Sequence, residues 1–391
     1  IDQNLLRGIV VTSKVFRSDE MIDALIGLLE RNDKRVISDI IDTLLSMARQ
    51  DPLAEEYADR LKLEVKKISK HTYRLIDFLN SVEHVDKEHT LNEVIQHELS
   101  KQVPNLLKLG IIDTPATPVE SYLQTIKKQD QRQMPFVLEV LDNIFEREEK
   151  ELITPFVEGL TTEELSKIGE KHFNEIPISL EKHLSIMISG DKEWASAVAT
   201  DFTLKHNRTN VLKNIDWDKI VGSLALKEII SKYDDIVRDN NQLQKFKLNK
   251  EELAMYSTLE KTILLKTVNL FQTIPTEDLS KVAQIAEEEQ FNANIPLFAE
   301  GDFGDSLYII VDGDIKIHKG DRHIALLGKG ACLGEMALLD HEPRSADATS
   351  ETDATLLKIT QEDFYEIMSS NMEIMQGIVK LLTGRLRDAI N

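Results

Sequence analysis

Gly334-Glu335-Met336-Ala337-Leu338-Leu339-Asp340-His341-Glu342-Pro343-Arg344-Ser345-Ala346 is the stretch on which the reading of this 391-residue chain turns. A glycine at its head lets the backbone turn tightly and approach another group closely. The Glu-Met-Ala-Leu-Leu run that follows predicts one short helix, whose first amides lack partners within the helix. Those amides, on Met336 and Ala337, sit where the helix carries partial positive charge, so they attract an anion. Arg344 returns with a planar guanidinium suited to a phosphate. Glu335 accepts only, so it cannot serve an anion; it fits a hydroxyl instead, and a ribose 2′-hydroxyl is the natural donor. Each element alone has a plainer reading, since a single arginine is usually a surface ion-pair partner and spaced glycines mark turns of a β-barrel. Their combination favours a pocket for a cyclic sugar phosphate.

The pattern Gly-Glu-x-Ala-Leu-Leu-x4-Arg-Ser-Ala resembles the phosphate-binding cassette of cyclic nucleotide-binding domains. The resemblance extends upstream through Gly301-Asp302-Phe303-Gly304-Asp305-Ser306-Leu307-Tyr308, Val311-Asp312-Gly313-Asp314 and Leu327-Gly328-Lys329-Gly330. It implies that Gly334 forms the turn, Glu335 holds the ribose 2′-hydroxyl, and Arg344 holds the cyclic phosphate. Ser345, Ala346 and the amides of Met336 and Ala337 would take the remaining phosphate oxygens. Two departures stand out: Leu333 where the family often has an aromatic, and Asp347 where a neutral residue is usual. The second suggests an extra negative charge near the phosphate. Cyclic AMP is the expected ligand and cyclic GMP the alternative.

Composition limits the partners. Lys plus Arg number 47 against 68 Asp plus Glu, a net charge of −21. Such a surface repels nucleic acid and an anionic membrane leaflet, and it repels a nucleotide too, so binding must rest on the local field of Arg344 and the helix terminus. Cys332 is the single cysteine, which excludes an internal disulfide and fits a reducing compartment; in a barrel turn it reads as a small filler. No apolar run reaches the length of a membrane span, Leu307 to Val311 being typical, and no signal peptide is evident.

Residues 1–252 read as helices. Apolar residues recur at three- and four-residue spacing, as in Leu25, Leu28, Leu29 and Ile40, Ile41, Leu44, Leu45. Helix pairs are predicted around Asn32-Asp33, Asp130 and Gly190-Asp191, with the Asp capping the second helix each time. Stacked pairs of this kind predict a HEAT-like solenoid with irregular repeat length, an irregular helical bundle being the alternative, and in either case a spacer or docking surface without chemistry of its own. His89, Glu93 and His97 fall four apart on one helix face, yet the row is too long for three ligands to share a metal, and a solvated face is the better reading. No metal or other cofactor is expected.

After a Lys-rich stretch at 245–252 the period changes. Thr276 reads as a helix N-cap, short β-branched and aromatic runs punctuated by glycine follow, Thr360-Gln361-Glu362-Asp363 restarts a helix, and 374–390 supplies the last one. The fold class expected is an all-α HEAT-like solenoid at 1–252, then an antiparallel, jelly-roll-like β-barrel at 253–391 with flanking helices. Arg385, on the last helix, is the candidate to stack on the base. No helix-turn-helix follows it, and no kinase or cyclase motif is found, so neither DNA binding nor an enzyme activity is expected.

The helical half has its own resemblance. Leu91-Asn92-Glu93-Val94-Ile95-Gln96-His97-Glu98-Leu99, Asn105-Leu106-Leu107-Lys108-Leu109 and Leu138-Glu139-Val140-Leu141-Asp142-Asn143-Ile144-Phe145 resemble the helical segment of bacterial ADP/ATP carrier-like proteins that fuse a HEAT-like array to a cyclic nucleotide-binding domain. That likeness implies a transporter upstream of Ile1 and this chain as its regulatory tail on the cytoplasmic face. The competing expectation is a ligand-dead barrel joined to a protein–protein scaffold.

Overall fold

The computed structural model describes residues 3–31, 36–128, 130, 132–220, 222–238, 240–248, 254–268, 271–272, 274–334, 343–370 and 375, 379 and 383. The chain divides into two compact units, Ile1–His183 and Leu184–Asn391. The boundary expected at 252/253 falls on residues outside the described set and within the span of the second unit.

The described part of the first unit is helical. Helix Asp19–Glu30 starts where the Ser18 hydroxyl accepts the Met21 amide at 3.2 Å, with Asp19 and Glu20 in its first turn. Its buried residues Ile22, Leu25, Ile26 and Leu29 share one core with Ile40, Ile41, Leu44 and Leu45 of helix Ile37–Gln50. Helices Val119–Lys128 and Met134–Ile144, and Leu180–Ile188 and Glu193–Lys205, likewise flank the loops singled out in the sequence.

The caps differ from expectation. Gln133 and Lys192 precede the two second helices without a side-chain cap bond, and the Asp130 carboxylate accepts the Arg132 amide at 3.0 Å instead. Asp33 lies outside the described residues. A HEAT-like solenoid is not shown among the described helices, which differ widely in length. Helix Glu55–Glu83 runs for 29 residues and packs on the 21-residue Thr90–Gly110, whereas Arg147–Ile153 has only 7. No glycine or proline interrupts 55–83, so nothing divides that helix into shorter repeats. His89 does not lie on the helix face with Glu93 and His97. It is the N-cap of Thr90–Gly110, buried, with Nδ1 accepting the Leu91 amide at 3.0 Å.

In the second unit, helix Glu193–Lys205 is buried on all sides from Trp194 to Leu204, as its mixture of apolar and small residues allows. Helix Thr258–Thr267 opens with a capping box between Ser257 and Glu260. Helix Thr276–Ile285 follows the cap Pro275. Thr276 is therefore its first helical residue, and its hydroxyl accepts the Trp194 indole N–H at 3.4 Å.

The strands are β1 (Glu287–Phe291), β2 (Pro296–Phe298), β3 (Ser306–Asp312), β4 (Ile315–Lys319), β5 (Arg322–Leu327), β6 (Cys332–Leu333), β7 (Asp347–Ser350) and β8 (Ala354–Thr360). They make two four-stranded antiparallel sheets, ordered β1-β8-β3-β6 and β2-β7-β4-β5. The expected closed barrel is thus corrected to a two-sheet arrangement among the described strands. Gly313 is where the chain leaves one sheet for the other. Its φ is +86°, and a Cβ there would lie 2.3 Å from the Asp353 carbonyl oxygen.

Along β3 the side chains alternate. Leu307, Ile309 and Val311 pack with Leu279, Val282 and Phe364 of helices Thr276–Ile285 and Gln361–Ser370. Tyr308 and Ile310 turn to the other sheet, meeting its Ile315 and Ala348, with Leu356 of β8 in the same cluster. Both faces are covered, which is why the strand reads as a continuous apolar run. At the end of β8 the Thr360 hydroxyl accepts the Asp363 amide at 3.2 Å, starting helix Gln361–Ser370 where the sequence predicts. Of the helix expected at 374–390, residues 375, 379 and 383 are described, and they are helical.

Among the described residues no helix is long and apolar enough to cross a membrane. Among them, too, no three His, Cys, Asp or Glu are grouped so as to hold a metal ion.

Candidate functional site

Two missing side chains make room for one large one. A Cβ on Gly304 would stand 2.2 Å from Arg344 Nε and 2.3 Å from its Cζ. A Cβ on Gly334 would stand 2.0 Å from Arg344 Nη1, and there φ is +77°, a conformation that L side chains rarely adopt. The guanidinium occupies the space both glycines vacate. Arg344 is only 8% exposed, unusual for an arginine.

The backbone fixes where this side chain starts. The Arg344 amide donates to the Asp302 carbonyl at 2.8 Å, and the Gly301 amide donates to the Arg344 carbonyl at 2.9 Å, so the residue is paired to the loop that contains Gly304. Nη2 then donates to the Ser306 carbonyl at 2.9 Å and Nη1 to the Gly334 carbonyl at 3.3 Å. Below them lies Phe298, its ring centroid 4.2 Å from Cζ. Ser306 belongs to one sheet and Phe298 to the other, so the guanidinium sits against both. Two carbonyl oxygens and a ring face hold the guanidinium in place.

Several apolar side chains of the same inter-sheet core are only partly covered. Leu297, Phe298, Tyr308, Ile317 and Leu327 pack on the inter-sheet core yet remain half-buried. Tyr308 lies 6.3 Å from the Phe298 ring, and burial, aided by the Glu289 carboxylate, pushes its phenol up, so the hydroxyl is neutral at pH 7. A cationic fork resting on Phe298, with partly buried apolar side chains in the same core, can receive a ligand with an anionic end and a flat, less polar body.

Of the residues expected in the site, Gly334 and Arg344 come together, Ser345 is exposed beside them, and Ala346 is half-buried at the entry to β7. Glu335, Met336, Ala337 and Arg385 lie outside the described residues. The charge expected of Asp347 is directed elsewhere. It alternates with the buried Ala348 and Ser350 and shares a face with Thr349, and its carboxylate accepts the amides of Glu300 at 2.8 Å and Gly320 at 3.1 Å. Those two backbone bonds, with His318 nearby, hold it below the usual carboxylate range. Phe298 was not expected; its strand has three residues, too few to reveal which face it lines.

Residues 288–371 match the profile of the cyclic nucleotide-binding domain family. Over 130 residues the chain is 32% identical to the cyclic AMP receptor protein of Thermus thermophilus, a stretch covering 32% of this chain and 60% of that protein. Over 104 residues it is 30% identical to the cAMP-dependent protein kinase type II regulatory subunit of Drosophila melanogaster, covering 27% of this chain and 28% of that one. A solved structure, the N-terminal domain of a transcriptional regulator from Streptomyces coelicolor, is similar at 27% identity, covering 32% of this chain and 94% of that one with a TM-score of 0.32. The chain therefore spans 60% or less of these two curated relatives.

Residues 288–371 are a cyclic nucleotide-binding domain, a regulatory module, preceded by a helical region. The resemblance of the whole chain to carrier-like tails is not shown by these matches.

Proposed function

We propose that this chain is a non-enzymatic sensor of a cyclic nucleotide, cyclic AMP before cyclic GMP, and that Arg344 receives the cyclic phosphate. One observation carries the reading: a nearly buried guanidinium, cradled by Gly304 and Gly334 and resting on Phe298. Carried over from the family, Glu335 takes the ribose 2′-hydroxyl, and the Met336 and Ala337 amides with Ser345 and Ala346 complete the phosphate site; Arg385 is assigned to the base on the stacking chemistry of its guanidinium alone. Binding shifts a pre-existing equilibrium in the elements around the pocket, by no more than the ligand's differential affinity for the two states. The helical array, read as a HEAT-like docking surface, passes that shift to a partner. On the carrier-like resemblance, that partner is a membrane transporter preceding this segment, which itself lies at the cytoplasmic face.

A thermal-shift screen with cyclic AMP, cyclic GMP, AMP and ATP tests the proposal. At a hundredfold excess over its dissociation constant a ligand adds about 2.7 kcal/mol, enough to raise Tm by several degrees. The sensor predicts a shift with a cyclic nucleotide and little with ATP. The ligand-dead scaffold is favoured by a separate fact, that two guanidinium N–H groups already donate to carbonyls, and it predicts no shift with either cyclic nucleotide.

A further inference from the structure

The first unit contains a cavity of about 300 Å³ walled by one face of helix Glu55–Glu83. Lys67, Lys70, His71 and Arg74 all line it, so three fixed cations and a histidine converge in a chain whose net charge is −21. The convergence follows from helical geometry: positions 67, 70, 71 and 74 are three and four apart and fall on one side. Ile37 and Ile68 give the same cavity an apolar floor.

The local anions are placed so as to leave that wall positive. Glu64 lies within the lining, its side chain 5% exposed and bonded to Lys67 Nζ at 2.5 Å. Glu175 pairs with both Lys70, at 2.6 Å, and Arg74, and its side chain is 57% exposed. One flexible carboxylate thus serves two cations. Arg74 gives Nη2 to Glu175, while its Nε is buried and makes no hydrogen bond among the described residues. A buried, charged N–H left in this way costs free energy until an acceptor reaches it.

The geometry points to a second ligand site here, for a phosphate-bearing small molecule whose anion is received by Lys67, Lys70 and Arg74. The volume stands at the lower end of small-molecule pockets, with room for a phosphomonoester up to about the size of a mononucleotide. The phosphate goes to the Lys70–Arg74 end, displacing Glu175 outward. The carbon skeleton lies on Ile37 and Ile68, and Glu64, an acceptor, meets a hydroxyl of the ligand.

Calorimetry on the full chain carrying Arg344→Ala tests this without interference from the phosphate site of the sheet domain. Sodium pyrophosphate and AMP are the probes, at an ionic strength of about 20 mM so that screening is slight. The expected result is one saturable site for at least one probe, weakened about tenfold or more by Lys67→Gln combined with Arg74→Gln. Glu175→Gln, which removes the competing carboxylate, should tighten it about threefold or more. Lys67 and Glu175 are exposed, so circular dichroism of these variants should show an intact fold. No saturable binding of either probe overturns the proposal. So does binding indifferent to the Lys67/Arg74 pair, or binding that Glu175→Gln loosens: the cations would then be structural ion pairs only.

Discussion

Adding a single methyl group at Gly304 should separate binding from folding. The Gly304→Ala methyl would lie 2.2 Å from Arg344 Nε, 2.3 Å from Cζ and 2.5 Å from Nη2, against an ordinary contact of about 3.5 Å. The guanidinium must therefore retreat by roughly 1 Å or more, which breaks the 2.9 Å bond from Nη2 to Ser306 and lifts Cζ from the Phe298 ring. Those atoms are the far end of a flexible side chain, so the protein can yield at a cost of about 1–2 kcal/mol, one hydrogen bond and one cation–π contact. A phosphate placed by the original fork loses more, because a bidentate charge-assisted contact depends on direction. A loss of about 1.5–3 kcal/mol corresponds to roughly ten- to a hundredfold in Kd. Calorimetry with cyclic AMP reads the loss of binding, and thermal unfolding reads the cost in stability. If Gly304→Ala binds cyclic AMP within a factor of two of the parent, the position of Arg344 does not govern recognition, and the cradle argument fails.

Other substitutions probe separate parts of the account. Gly334→Ala places a methyl 2.0 Å from Nη1 and 3.0 Å from the Ser306 carbonyl oxygen at φ +77°, so it should cost about 1–3 kcal/mol of stability as well as affinity, measurable by urea unfolding. Phe298→Leu keeps an apolar floor but removes the ring under the guanidinium, and cyclic AMP titration should show binding weakened several-fold. Asp347→Asn should leave Kd within about twofold, because that carboxylate is bonded to the Glu300 and Gly320 amides on the face opposite Ala348. In the first unit, burial raises the Asp77 carboxyl, but bonds from His183, the Ile178 amide and Ser166 outweigh it and hold the group below its ordinary value. A depressed folded value means that its stabilisation is complete above the unfolded value of about 3.9 and is lost as pH falls through the folded one. Urea midpoints from pH 7 to pH 2 should show that acid limb, and Asp77→Asn should flatten it while lowering stability at pH 7 by about 2–4 kcal/mol.

Much of the sheet domain was legible because its glycines are required by geometry. Gly313 and Gly334 adopt positive φ, and Gly304 and Gly334 are approached too closely for any side chain. A sequence shows such needs directly. Helix pairs were legible through the spacing of Leu25, Leu29, Ile40, Ile41, Leu44 and Leu45, all of them buried. What escaped depends on partners distant in the chain. β8 lies between β1 and β3, pairing Lys358 with Glu287 on one side and Tyr308 on the other, and no local pattern states that order. Phe298 meets Arg344 only through the fold. His89 looked like a helix residue because its spacing to Glu93 and His97 is helical, whereas its ring caps the helix from outside.

Titration of the full chain with cyclic AMP, beside Arg344→Ala and Arg344→Lys, tests the central claim most directly. The account predicts one site per chain, lost by about thirty- to a thousandfold in Arg344→Ala, equivalent to roughly 2–4 kcal/mol. Arg344→Lys should fall between the two, since an ammonium supplies the charge but not the planar fork. Absence of binding in the parent chain, or binding that Arg344→Ala leaves within a factor of two, would contradict it.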